Sequence, residues 1–582
     1  MKNYKYILLA LFLFTLSCEE DPLDITPDGR ITLQDVFLDE LQTEAYLNTV
    51  YENIPWYSWR YMFFAFLAGA SDEAQDADVG NNGLNINARW ITGSLTPSVN
   101  PLELRGQGTD PDISRYNSFW AGIRDANIFL ANVETANISN ERNRKRFEGE
   151  ARLLRAFYYL ELIKQYGALP IFTEPLAPDF DYVGLIRPTF QECADFIATE
   201  CELVITNPEM PIRIIEEQER GRFSKAVAHA IKSQVLLYNA SPLWNETDDT
   251  GKWQAAATAS KNALDALTTG GEYQLYPDYE EYSITQSDKN PSPRDRETIY
   301  EINLGAPPTF RNINAMPSLP GNFKAGSCPT QELVDAYEMA NGQPAITGYS
   351  DADHLNPIIN PASGYDENNP YVGRDPRFYA TVWYNGALYD NIRGRIHTVE
   401  TFIGGSDQLI KTPPNRRNTH TGYYLRKFFN PKIQRGQSSS ARYKKYHLAE
   451  LYLNYAEAEN EANGPTVAAY TAINTLRARV NMPPLTAGLT KESFRSRVRN
   501  ERRVELAFEE HRFWDVRRWK ILNQTGRLVT AMEIRKVGAD FTYERFVTET
   551  RNAYDDKYLI FPIPITDSSI IPDFNINQNP GW

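Results

Sequence analysis

The sequence predicts a mostly α protein, a stack of helix pairs scaffolding a large loop-rich insert that contains short β-strands. Three observations predict it. Phe147, Ala151, Leu154, Tyr158 and Leu162 recur at helical steps, with Leu153, Phe157, Leu160 and Ile163 as a second stripe beside them. A helix apolar on two stripes is packed between neighbours, not laid on a surface. Helical spacing of this kind occupies two blocks, before residue 245 and after residue 445, while Pro, Asn, Gly and Tyr dominate between them. No clean 34-residue period links the helices, so periodicity alone supports a repeat-like stack and no more.

Taken in order, Lys2 and Lys5 precede an apolar run over 7–16 that is too short to span a bilayer, which reads as an export leader over residues 1–17. Thr15-Leu16-Ser17-Cys18, followed by Glu19-Glu20-Asp21, resembles a lipoprotein signal-peptidase site. That resemblance implies a lipid on Cys18 and export to the outer face of a Gram-negative outer membrane. An ordinary cleaved leader with an incidental Cys is the alternative. Residues 18–32 suit a tether, and 33–582 read as one domain. Its helical scaffold is expected mainly at 33–70, 116–245 and 445–525, and its loops mainly at 71–115 and 246–440.

Leu38, Leu41, Ala45 and Val50 mark a first helix. Residues 71–116 are rich in Asn, Gly, Asp and Pro, with Trp90 isolated among polar neighbours; a long loop of that kind carries function more often than packing. Trp120, Ile123, Ala126 and Leu130 return to helix and lead into the central one, where Ala151 and Ala156 allow close crossings and Gly167 with Pro170 ends it. Helices follow at 188–205 and 222–240. Strand-like pieces fall at 297–304, 378–384 and 423–429. A helix over 447–464, broken by Gly464-Pro465, pairs with 467–480; a helix over 494–520 follows, and 556–582 reads as extended.

The formal charge of −15, or −17 once residues 1–17 with Lys2 and Lys5 are gone, excludes a basic footprint for nucleic acid. Aromatic residues make up 12% of the chain, with 34 Tyr and 10 Trp, which suits a core but also a surface that stacks on flat ligands. The four Cys form neither a disulfide framework nor a zinc spacing, and Cys193 and Cys201 read as small buried residues. Six His with no HExxH-like pair leave no metal site, and no motif implies a cofactor. No GxSxG elbow, P-loop or dinucleotide fingerprint occurs. Glu505 with Glu509, and His511 with Asp515, stand one helical turn apart and mimic a catalytic pair. Arg502, Arg503, Arg512, Arg517 and Arg518 crowd the same segment. Carboxylates so surrounded are held ionised in structural pairs, the wrong state for a general acid, so no catalytic residue is expected.

A set of motifs in a fixed order carries a family resemblance. They are Ser71-Asp72-Glu73, Gly149-Glu150-Ala151-Arg152-Leu153-Leu154-Arg155-Ala156, Leu237-Tyr238-Asn239-Ala240-Ser241-Pro242-Leu243, Arg374-Asp375-Pro376-Arg377-Phe378, the run 449–458, the run 500–520 and the closing Gln578-Asn579-Pro580-Gly581-Trp582. Together they resemble the SusD/RagB outer-membrane lipoproteins, surface partners of SusC-like TonB-dependent transporters. The resemblance implies four tetratricopeptide-like helix pairs, and noncatalytic capture of oligosaccharide that is handed to the transporter.

Sugar recognition without chemistry needs an aromatic platform beside carboxylate, amide or guanidinium groups. In starch-binding members an Asp just after the Ser/Thr of the first motif and a Trp in the following loop touch the ligand, and Asp72 and Trp90 match those positions. Asn100 lies in the same loop-rich run. For the second side of the site the insert offers Phe310, Arg311 and Phe323; it has no Trp between Trp253 and Trp383, a departure from the starch-binding pattern. Each has a structural alternative: Trp90 as a buried loop anchor, Asp72 as a helix cap, the two Phe as cover for the core. A peptide ligand on the same fold, or a glycoside hydrolase with distant carboxylates, are the rival functions.

Overall fold

The computed structural model describes residues 32–55, 66–78, 87–98, 115–219, 221–284, 295–302, 314–319, 322, 324–391, 395–411, 415–429 and 443–582. Its scaffold is a helical stack: α1 (Glu40–Glu52), α2 (Arg115–Asn132), α3 (Glu141–Tyr166), α4 (Phe190–Thr206), α5 (Lys225–Ala240), α6 (Thr250–Thr268), α7 (Leu448–Asn463), α8 (Val467–Arg479) and α9 (Lys491–Glu505). From α2 to α7 each helix packs on the next, and α8 and α9 both close on α7. Side-chain caps start most of them: Asn140 for α3, Thr189 in a capping box with Glu192 for α4, Thr466 for α8 and Thr490 for α9.

Helix α3 is the central element. From Phe147 onward nearly every side chain on it is buried, on all faces. Gly122 on α2 lets the ring of Tyr158 cross so closely that a Cβ there would stand 2.4 Å from a ring carbon. Gly167, at φ 72°, ends the helix in a conformation that favours glycine. Where α3 carries charge inward it is paired: Arg155 with Glu200 at 2.6 Å, Glu161 with both Lys164 and Lys445 at 2.9 Å.

The sequence reading leaves 246–440 mainly to loops, yet Thr250–Thr268 is a full helix of the stack. Asp249 caps it, and its inward face is built from Ala256, Ala257 and Ala263 beside Trp253, small residues that give little apolar contrast with the Thr and Asn around them. The stack therefore runs from α6 directly to α7, and the insert leaves and re-enters between them.

Among the described residues, strands occur only as two-stranded ladders. Those that matter below are β1 (Ala74–Asp76) with β3 (Ser327–Pro329), and β2 (Thr298–Ile302) with β4 (Tyr443–His447). A hairpin of β5 (Leu528–Val537) and β6 (Asp540–Thr550), turning at Gly538, was not anticipated. The pieces expected near 378–384 and 423–429 reduce to Val382–Trp383 paired with Tyr424–Leu425.

The helix expected over 494–520 is two helices, α9 and α10 (His511–Arg518), separated by Phe508 and Glu510 at φ 61° and 66°. The break has a partner. Glu73 Oε1 accepts from the Phe508 amide at 3.1 Å, and Glu510 Oε2 accepts from the Leu67 amide at 2.8 Å, so the kink receives the 66–73 segment. The tail is not simply extended. It holds short turns at Ile565–Ser568 and Pro572–Ile576, and Asn579 Nδ2 donates to the carbonyls of Tyr166 and Phe561 at 2.8 and 2.6 Å. Among the described residues no helix is long and apolar enough to cross a membrane. Cys193, Cys201 and Cys328 are buried free thiols; Cys18 lies outside the described residues.

Candidate loop-bearing binding face

The antiparallel pair β1–β3 fixes where two distant loop regions meet. Ala74 pairs with Pro329, Gln75 with Cys328 and Asp76 with Ser327, and the Ala77 amide donates to the Gly326 carbonyl at 2.9 Å. Residues 74–77 and 326–329 are thereby held side by side. Beneath them lies a satellite core of Met316, Leu319, Cys328, Trp383, Tyr389, Tyr424 and Phe429. Tyr389 and Phe429 set their edges against Trp383 at 5.7 and 6.3 Å, and the Arg426 guanidinium covers it at 4.4 Å.

A buried ion cluster ties the junction together. Lys324 Nζ is 2.9 Å from Asp78 and 3.3 Å from Asp76, with no exposed side-chain surface, and Arg416 Nε is 2.9 Å from the other Asp78 oxygen. A lysine buried like this persists only where carboxylates compensate it. Sequence reasoning did not single out these four residues. The two-residue spacing of Asp76 and Asp78 was the available signal; nothing local marks Lys324 or Arg416 as their partners.

Asp72 is buried and clamped. Arg512 donates to both of its oxygens at 2.8 Å and Arg503 lies at 3.0 Å. Burial alone would raise its pKa, but Arg503, Arg512 and Arg551 together hold the carboxyl well below the usual range. It caps no helix; it joins the 66–73 segment to α9 and α10. Neighbouring Glu73 is equally buried, and there burial wins, lifting it to about 7. Arg551 closes the clasp by donating to the Ser71 and Ala74 carbonyls at 2.5 and 2.9 Å.

Trp90 sits on the short helix Asn87–Thr92 and is only 2% exposed. Phe513 meets it edge-on at 5.1 Å, Phe561 lies at 5.2 Å and the Arg517 guanidinium is stacked at 4.9 Å. Asp72 and Trp90 thus both reach inward to the α9–α10 segment from one loop region. Asn100, Phe310, Arg311 and Phe323 lie outside the described residues.

The acidic residues that mimic a catalytic set are engaged with cations. Glu505 pairs with Arg479 and, at 3.0 Å, Arg377; Glu509 pairs with Lys427 at 2.6 Å and His447 at 2.7 Å. Asp515 bridges Arg502 and Arg518 at 2.8 Å each. Burial opposes ionisation of Glu509 and Asp515, yet these partners hold both below their ordinary values. His511, buried beside Arg502, is pushed well down and stays neutral. This is a lattice of compensated charge.

Residues 278–582 match the family described as "SusD family", and residues 67–237 match a second described as "Starch-binding associating with outer membrane". The chain is 23% identical over 548 residues to SusD-like protein P2 of Formosa agariphila, covering 90% of this chain and 92% of that one. It is 24% identical over 426 residues to SusD-like protein P25 of the same organism, covering 69% and 68%. Among solved structures, a SusD-like protein from Bacteroides fragilis superposes with a TM-score of 0.74 at 26% identity over 94% of this chain and 98% of that one. A SusD-like carbohydrate-binding protein from the same species reaches 0.70 at 22% identity, over 92% and 99%.

Proposed function

The chain belongs to the SusD family, and from that premise we propose that it is a noncatalytic glycan-capture protein of the outer-membrane surface, tethered by a lipid on Cys18. It delivers oligosaccharide to a SusC-like TonB-dependent transporter. The observation that carries the reading is the β1–β3 pair, which ties residues 74–76, at the start of the run that continues to Asn100, to residues 327–329, at the end of the run that holds Phe310, Arg311 and Phe323, over the Trp383 core. We assign the ligand contacts to those two runs, with Asp72 and Trp90 supporting them from beneath. The paired carboxylates of the α9–α10 segment support the absence of chemistry, since an acid held ionised cannot protonate a leaving group.

The test is affinity electrophoresis of the full chain in detergent through gels containing individual polysaccharides, followed by a reducing-end assay on the glycan that retards it. Retardation without new reducing ends is the expected result, together with co-purification of a TonB-dependent transporter from membranes. Release of reducing ends would replace this reading with a hydrolase.

A further inference from the structure

A concave site lies beside the C-terminal turns, where the Ile565 amide donates to the Pro97 carbonyl at 2.9 Å. It is a cleft of about 480 Å³ between α2, the segment after α3 and the C-terminal turns, and it shares no lining residue with the β1–β3 junction. Its volume falls in the range of small-molecule sites. Trp120 and Phe172 line it with ring centres 5.9 Å apart, and the aromatic run continues through Phe180 to Tyr182 at spacings of 6.0 and 4.9 Å. Arg124, Glu174 and Asp567 are distributed around these rings.

Both walls are fixed before any ligand arrives. The Phe172 amide donates to the Tyr159 hydroxyl at 2.7 Å, its carbonyl accepts from Asn127 at 2.9 Å, and the Thr173 carbonyl accepts from Arg155 at 3.1 Å. Opposite, Tyr116 donates to Asp567, while Arg187 holds the tail by donating to Asp573 at 3.0 Å and to the Asn577 carbonyl at 2.7 Å. A cavity held open by bonds made behind its walls loses little freedom on binding. Aromatic surfaces suit the apolar face of a sugar ring, and carboxylates beside a guanidinium suit its hydroxyls. The mixed signs of Arg124, Glu174 and Asp567 do not select an anion.

We propose that this cleft is a second carbohydrate site, taking one or two neutral pyranose rings against Trp120, Phe172 and Tyr182. The proposal takes its ligand class from the glycan-capture reading and adds a place that reading does not assign. A chain held at two points would leave more slowly than one held at either alone.

The experiment is calorimetric titration of the full chain in detergent with maltohexaose, cellohexaose, laminarihexaose, mannohexaose and xylohexaose. Ala177→Trp, at an exposed lining position, fills the cleft; Tyr182→Ala removes one platform. A thermal scan of each variant checks the fold. The expected result is a loss of affinity of about tenfold for one of these sugars in both variants with an unchanged Tm. Wild-type affinity in both variants overturns the cleft and leaves glycan capture standing. Binding of none of the five, with peptides of a casein digest bound instead and lost in Ala177→Trp, overturns both readings, as does an absence of any binding.

Discussion

Replacing Asp72 with Asn keeps the shape of the side chain and removes its charge, leaving Arg503 and Arg512 without their buried counter-ion. Breaking a buried pair from one side costs about 3–5 kcal/mol. Unfolding entropy is about 2.1 cal/mol/K per residue, so over the roughly 470 described residues each kcal/mol moves Tm by only about 1 °C. The expected loss is therefore about 3–5 °C, readable by calorimetry in neutral buffer. The sign of the pH dependence follows from the depressed pKa of Asp72. Its stabilisation is present above the unfolded value of about 3.9 and is lost as pH falls toward the lower folded value, so the gap between wild type and Asp72→Asn closes in acid. Glycan retention measured well below Tm should survive. An unchanged Tm, or retention abolished at full stability, would refute the clasp and return Asp72 to direct ligand contact.

Trp90→Ala should cost about 3–5 kcal/mol, again about 3–5 °C, because it empties a site enclosed by Phe513 and Phe561; a Tm within a degree of wild type would contradict that packing. Glu73→Gln acts the other way. A carboxyl lifted to about 7 stabilises the fold fully below its unfolded value and loses that contribution as pH rises through about 7. Relative to wild type, the variant should therefore gain up to about 3 kcal/mol between pH 5 and pH 8 in urea titrations, and a constant difference across that range would exclude burial as the cause. Gly122→Ala should destabilise by about 1–3 kcal/mol, since overpacking against Tyr158 outweighs a helix-propensity gain of at most about 1 kcal/mol. A rise in Tm would mean that the ring gives way.

The stack was legible because its helices carry wide apolar faces, and α3 could be read almost residue by residue up to Gly167. Helix α6 was not, because an Ala-lined face has the spacing of a core without its contrast. The interruption between α9 and α10 was equally hidden: the sequence continues in helix-forming residues, and the reason to stop is a segment more than 400 positions earlier that fits into the kink. The candidate site shows the same limit. The β1–β3 pairing joins residues 74–76 to the insert, whereas Ile91 and Pro97 are bonded to Asn552 and Ile565 of the C-terminal part. Which way Asp72 and Trp90 face depends on Arg512 and Phe513, partners that no local pattern names.

The direct passage of the stack from α6 to α7 separates inheritance from innovation in this chain. The chain between Thr268 and Leu448 leaves and returns at two points already held together, and it is tied to the scaffold where Arg377 meets Glu501 and Glu505, Lys427 meets Glu509 and Lys445 meets Glu161. Doubling the length of a flexible closed loop adds only about 0.6 kcal/mol of closure entropy. Stretches of the insert that carry none of these ties can therefore be lengthened or exchanged while the helices keep their contacts, so selection can retune what the surface recognises without renegotiating how the protein folds.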